Sequence, residues 1–115
     1  MTQLEFIEQI IKEKEAVILD ANDKIWSYAE LPYEETKSSA LLCSILESEG
    51  FTVEKGVAEI PTAFVARYVV GNGKPGMGIL GEFDALATLS QKAGCTVKDP
   101  VQNGGSGHGC GHCCL

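Results

Sequence analysis

The chain has 115 residues, with nine lysines and arginines against sixteen aspartates and glutamates, a formal net charge of −7. That balance leaves no basic patch for nucleic acid, and no apolar run approaches the roughly 20 residues needed to span a bilayer. The length suits one domain, and 44% hydrophobic residues is enough for a modest core. The opening Met1-Thr2-Gln3-Leu4-Glu5 lacks the basic and apolar start of a signal peptide. A cytoplasmic location with reduced cysteines is therefore expected. Cys43, Cys95, Cys110, Cys113 and Cys114 are odd in number, and three are clustered, which favours ligation or reactivity over a disulfide framework.

Residues 3 to about 29 read as a long amphipathic helix. Leu4, Ile7, Ile11, Ile18, Ala21, Ile25 and Tyr28 follow the spacing of one face, with Lys14 as the exception. Leu31-Pro32 interrupts it, because proline disfavours helical geometry in the residue before it. A second helix is predicted from Pro32 or Tyr33, with Glu34 and Glu35 in its first turn, where acids favour the positive end of the dipole. Leu41, Leu42, Ile45 and Leu46 form its buried stripe, Cys43 packs in the core, and Gly50 is a natural residue to end it.

From Phe51 the period changes. Phe51-Thr52-Val53 predicts a short strand ending near Gly56. Residues 62–70 are apolar on both faces, as in a strand covered on both sides. The run 71–76 is dense in turn residues, and 77–84 predicts another buried strand. Two helices followed by strands, with no repeat and no low-complexity linker before residue 103, predict one α/β or α+β unit.

Two stretches carry chemistry. Glu82 and Asp84 lie two apart at the end of the last predicted strand, so both carboxylates project to one side. They are either a ligand site at a strand end or a pair of solvated acids. In the tail, His108, Cys110 and His112 alternate with glycines, and an extended backbone would put all three on one face. Imidazole and thiolate are preferred donors for zinc and its neighbours. The alternative is a frayed glycine-rich terminus.

Gly81-Glu82-Phe83-Asp84-Ala85-Leu86, Leu89-Ser90-Gln91 and Gly107-His108-Gly109-Cys110-Gly111-His112 together resemble the metal-dependent amidohydrolases of metallopeptidase family 20, in their aminobenzoyl-glutamate hydrolase branch. The resemblance covers essentially the whole chain but only the beginning of such an enzyme. It implies an α/β fold in which N-terminal helices precede a partial mixed sheet. Residues 1–115 would then be the incomplete catalytic domain of a two-metal zinc-peptidase-like fold, without its dimerisation domain. Cys110 and His112 match the family's metal ligands for zinc or manganese, and Asp84 matches the aspartate that orients a ligand from behind. Glu82 stands where other branches have a histidine or aspartate, so its role is open, and His108 is not expected to ligate. Two departures stand out: Ala87 replaces a usual proline, and Cys113-Cys114 replace an Asp or Asn and an aliphatic residue.

The implied activity is metal-dependent hydrolysis of an amide in N-acyl amino acids or small peptides, including aminobenzoyl-glutamate-like substrates. The family's catalytic glutamate pair and later histidines would lie beyond Leu115, so the chain is expected to be an inactive fragment. Full-length relatives are expected to be homo-oligomeric or paired with a second subunit. The other reading is a non-catalytic zinc-binding or interaction module built from His108, Cys110, His112, Cys113 and Cys114.

Overall fold

Helix α1 spans Gln3–Tyr28, in a computed structural model that describes residues 1–114. Its start is fixed locally by a capping box. The Thr2 hydroxyl accepts from the Glu5 amide at 3.2 Å, and the Thr2 amide donates to the Glu5 carboxylate at 2.6 Å. Only Ala21 and Ile25 of the predicted apolar stripe are buried, both in the second half. Leu4, Ile7, Ile11 and Ile18 stay exposed. Lys14, the exception in the stripe, reaches across to Glu49 at the end of the next helix, at 2.6 Å. Ala29 ends α1 in the left-handed region, at φ 44°.

Helix α2 runs Thr36–Ser48 and so begins later than the sequence predicts. Tyr33 sits at φ 67°, and the Glu34 amide donates to Leu31 in a turn, so the residues after Pro32 form a linker. Glu30 supplies the cap from outside the helix: its carboxylate accepts from the Lys37 and Ser38 amides, each at 2.9 Å. Glu35, expected in the first helical turn, is buried and accepts from the Thr62 hydroxyl at 2.9 Å. Cys43 is fully buried, as core packing requires, and burial pushes its thiol pKa up. Leu41, Leu42, Ile45 and Leu46 are half-buried. Gly50 closes the helix at φ 92°. Its amide donates to Glu47, and the Phe51 amide donates to Leu46, the paired bonds of a Schellman ending.

Strands β1 (Thr52–Lys55) and β2 (Phe64–Arg67) form an antiparallel pair in which Thr52 faces Arg67 and Lys55 faces Phe64. The described chain is thus an α/β partial domain, two helices followed by a small sheet. The expected strand at 62–70 shrinks to four residues, and the expected buried strand at 77–84 does not form. Met77, Ile79 and Leu80 are 91%, 93% and 92% exposed. The reason is pairing: after the turn at 71–76, no described strand lies beside residues 77–84 to complete a ladder, and apolar character alone does not hold an extended backbone. Phe83 is nevertheless anchored by stacking on Phe64, with ring centroids 6.0 Å apart.

From Ala85 onward, loops carry the chain back to the helices. The Ala85 amide donates to the Glu30 carbonyl at 2.7 Å, and the Ser106 hydroxyl donates to the Ala29 carbonyl. Leu86 and Gly107 exchange two backbone hydrogen bonds of 3.0 Å. These bonds tie the 84–86 and 106–108 segments to each other and to the α1–α2 linker. None of the described helices is long and apolar enough to cross a membrane.

Candidate metal centre

The Leu86–Gly107 bridge sets the residues after Gly107 beside Asp84. The tail does not continue as the extended strip that would align His108, Cys110 and His112. Gly111, at φ 82°, turns the backbone, its amide donating to His108 at 3.3 Å. A 3-10 turn follows over His112–Cys114. The three side chains consequently diverge: His108 is buried, Cys110 is exposed, and His112 is half-buried.

His112 meets the acid pair. Its Nδ1 lies 2.9 Å from Asp84 Oδ1, and its Nε2 lies 3.0 Å from Glu82 Oε2. The spacing of Glu82 and Asp84 therefore converges on one histidine even without the predicted strand. Donor atoms of Glu82, Asp84 and His112 all lie within 4.8 Å of one another, the one such group of three among the described residues. The five-residue tail site of the alternative reading is not assembled.

The donor chemistry fits a cation. A neutral imidazole has one N–H and one lone pair. With Nδ1–H donated to Asp84, the Nε2 lone pair faces a carboxylate oxygen, and two acceptors at this distance repel. A cation shared by Nε2 and Glu82, whether proton or metal, satisfies both. A carboxylate holding one ring nitrogen of a histidine while the other is left for a metal is the usual support of such ligands.

Cys110 stands apart from this group. Its thiol lies 3.8 Å from the Asp84 carbonyl oxygen, at the rim of the site and open to solvent. His108 lies outside this group as well. Both its ring nitrogens are buried without a hydrogen-bond partner. Burial lowers its pKa, and the nearby Ile25 backbone only partly opposes this. Cys113 is buried, and burial together with the adjacent Cys114 thiol pushes its pKa up to about 11.

Glu82 is the ligand candidate whose role sequence reasoning left open, and its i, i+2 relation to Asp84 was the available signal. Glu30, which anchors Ala85 next to Asp84, left no signal, because its part depends on tertiary contacts alone.

Over 107 residues the chain is 48% identical to a subunit of the p-aminobenzoyl-glutamate hydrolase of Escherichia coli (strain K12), covering 93% of this chain and 22% of that protein. It is 32% identical to thermostable carboxypeptidase 1 and 34% identical to thermostable carboxypeptidase 2 of Saccharolobus solfataricus. Each of those matches spans 114 residues, 97% of this chain and 28% of the relative. The chain thus spans about a quarter of the length of the curated relatives it matches. No family model matches the sequence, and no solved structure does.

Proposed function

Since the chain belongs with the amidohydrolases and carboxypeptidases of the metallopeptidase family 20 type, we propose that it carries part of a metal centre that hydrolyses amide bonds. The substrates would be N-acyl amino acids or small peptides of the aminobenzoyl-glutamate kind. The observation that carries this reading is His112 held between Glu82 and Asp84 at hydrogen-bond distance.

In this proposal His112 Nε2 and Glu82 hold a divalent ion, zinc or manganese, and the rim thiol of Cys110 joins them. Such an ion supplies Lewis-acid polarisation of the scissile carbonyl. Asp84 keeps the proton on Nδ1 and fixes the imidazole plane, so that Nε2 presents its lone pair outward. Ala85, buried and bonded to Glu30, keeps Asp84 from swinging away. A relative that is itself one subunit of a hydrolase supports assembly with a second subunit, for which the exposed apolar face of α1 is a suitable surface. Residues 1–115 would then be one portion of the catalytic domain.

Manganese titration of the chain, followed by the resonance signal of the free ion, tests the centre, because manganese prefers oxygen and imidazole donors over thiolates. His112→Ala and Glu82→Gln should each abolish or greatly weaken binding, and Asp84→Asn should weaken it by about 10–100-fold. Unchanged affinity in His112→Ala and Glu82→Gln would remove the site. For Cys110, zinc affinity with Cys113 and Cys114 both replaced by serine is the readout, and an equal value on adding Cys110→Ser would exclude its thiol.

The 115 residues alone should not turn over aminobenzoyl-glutamate. A general base contributes about 10²–10⁴-fold, and the glutamate at this site, Glu82, is already engaged on His112. Metal-dependent turnover by the purified chain that disappears in Cys110→Ser would show a complete active site.

A further inference from the structure

The two cysteines that depart from the family pattern, Cys113 and Cys114, turn away from the acid pair and face helix α1. Their sulfurs are 3.7 Å apart, and the Cys114 thiol donates to Asn22 Oδ1 at 3.3 Å. Both cysteines and Asn22 line a cleft of about 220 Å³, otherwise walled by apolar residues of α1 and α2 that include Ile18, Ile25, Leu42 and Ile45.

We infer that Cys113 and Cys114, with the Asn22 carbonyl oxygen, form a second site, for a soft divalent cation of the zinc group, distinct from the Glu82–Asp84–His112 centre. The spacing carries the argument. Two sulfurs each ~2.3 Å from a tetrahedral ion lie about 3.8 Å apart, and a sulfur and an oxygen ligand lie about 3.6 Å apart. The observed 3.7 Å and 3.3 Å lie within about 0.3 Å of these separations.

Charge selects the ion. Binding breaks two S–H bonds, releases two protons to solvent and forms two sulfur–metal bonds. Two thiolates and a divalent cation sum to zero, and Asn22 adds an oxygen without charge. A neutral assembly is what an apolar cleft tolerates, whereas a monovalent ion would leave a net negative charge there. Hard ions are disfavoured by the sulfurs. Solvent reaches the exposed Cys114, so water can take the remaining position. No histidine, aspartate, glutamate or other cysteine donor among the described residues lies within 4.8 Å of both sulfurs, so this site is not an extension of the first.

Cadmium is the probe, added to the reduced full chain and read by its thiolate-to-metal absorption. The first equivalent should develop the band in the unmodified chain, and a band should persist in Cys110→Ser and in His112→Ala, which leave both Cys113 and Cys114 in place. Cys114→Ser, at an exposed position that folding tolerates, should lose it, as should Cys113→Ser. Asn22→Ala should weaken binding several-fold. Alkylation mapped by mass provides a second readout: cadmium should protect Cys113 and Cys114 while the exposed Cys95 continues to react. Retention of the band in Cys114→Ser, or equal loss in Cys110→Ser or His112→Ala, would overturn the inference, the latter by showing a single merged site in the tail.

Discussion

Gly107 decides more about the candidate centre than any residue that could ligate an ion there. A Cβ on it would lie 2.1 Å from the Leu89 carbonyl oxygen and 2.5 Å from the Leu89 carbonyl carbon, both backbone atoms that cannot rotate away. Gly107→Ala must therefore push apart the segments joined by the Leu86–Gly107 bonds, and with them Asp84 and His112. Overpacking of this kind costs about 1–3 kcal/mol. Urea unfolding should show that loss, and manganese affinity should fall although no donor has been altered. Gly81→Ala, beside Glu82 but with nothing within 4 Å of its added Cβ, is the control and should change neither. The residue types of the site were legible in sequence, since acids two apart and a histidine among glycines are local patterns. Their pairing was only partly legible. Cys110 and His112 were aligned by assuming an extended tail, and the turn at Gly111 separates them. The need for glycine at 107 comes from Leu89, far back in the chain, and no local pattern reports it.

Elements whose determinants are local match the sequence reading, and elements whose determinants are distant do not. Helix α1 has its capping box and its period within its own residues, and the end of α2 has Gly50. The start of α2 depends on Glu30, whose carboxylate bonds the Lys37 and Ser38 amides, contacts that periodicity does not reveal. The strand expected at 77–84 failed because a strand needs a neighbour as well as apolar residues. Glu30 yields a pH prediction. Partial burial raises its pKa, but the hydrogen bonds from the Ser38 and Lys37 amides outweigh this and hold it below the ordinary 4.5. A carboxyl depressed in the folded state stabilises fully above its unfolded value and loses that contribution as pH falls through the folded one. Glu30→Ala should cost about 0.5–1 kcal/mol near neutral pH, in the range of a lost helix cap. The gap between variant and parent should narrow on acidification below the ordinary 4.5. Denaturant unfolding at several pH values measures it, and a gap independent of pH would exclude the capping role.

The molecule as a whole buries less than its length allows. Its accessible surface is 8635 Å², against about 6,100 Å² for a closed monomer of this size. Its radius of gyration is 16.6 Å, against about 13 Å for a compact domain of similar length. The excess of about 2,500 Å² is roughly three times the area that one partner contributes to a standard protein–protein interface. Its location is specific. The N-terminal half of α1 shows Leu4, Phe6, Ile7 and Ile11, and the segment after β2 shows Val69, Val70, Met77, Ile79 and Leu80. All of these but Phe6 read as buried in the sequence, so their pattern describes a core that the described residues do not close. Charge does not prevent contact at the second of these: residues 68–73 and 75–81 hold no charged side chain, and Lys74 alone interrupts them. An uncovered apolar surface of this extent drives association, and the short β1–β2 pair adds free strand edges. The isolated chain should therefore sediment faster than a monomer at micromolar concentration and bind a hydrophobic dye strongly. Ile79→Lys with Leu80→Glu, at two positions more than nine-tenths exposed, should reduce both signals without weakening manganese binding. A sharp monomer that leaves the dye dark would mean that residues 68–80 fold back to cover themselves in solution, and the double variant would then change neither signal.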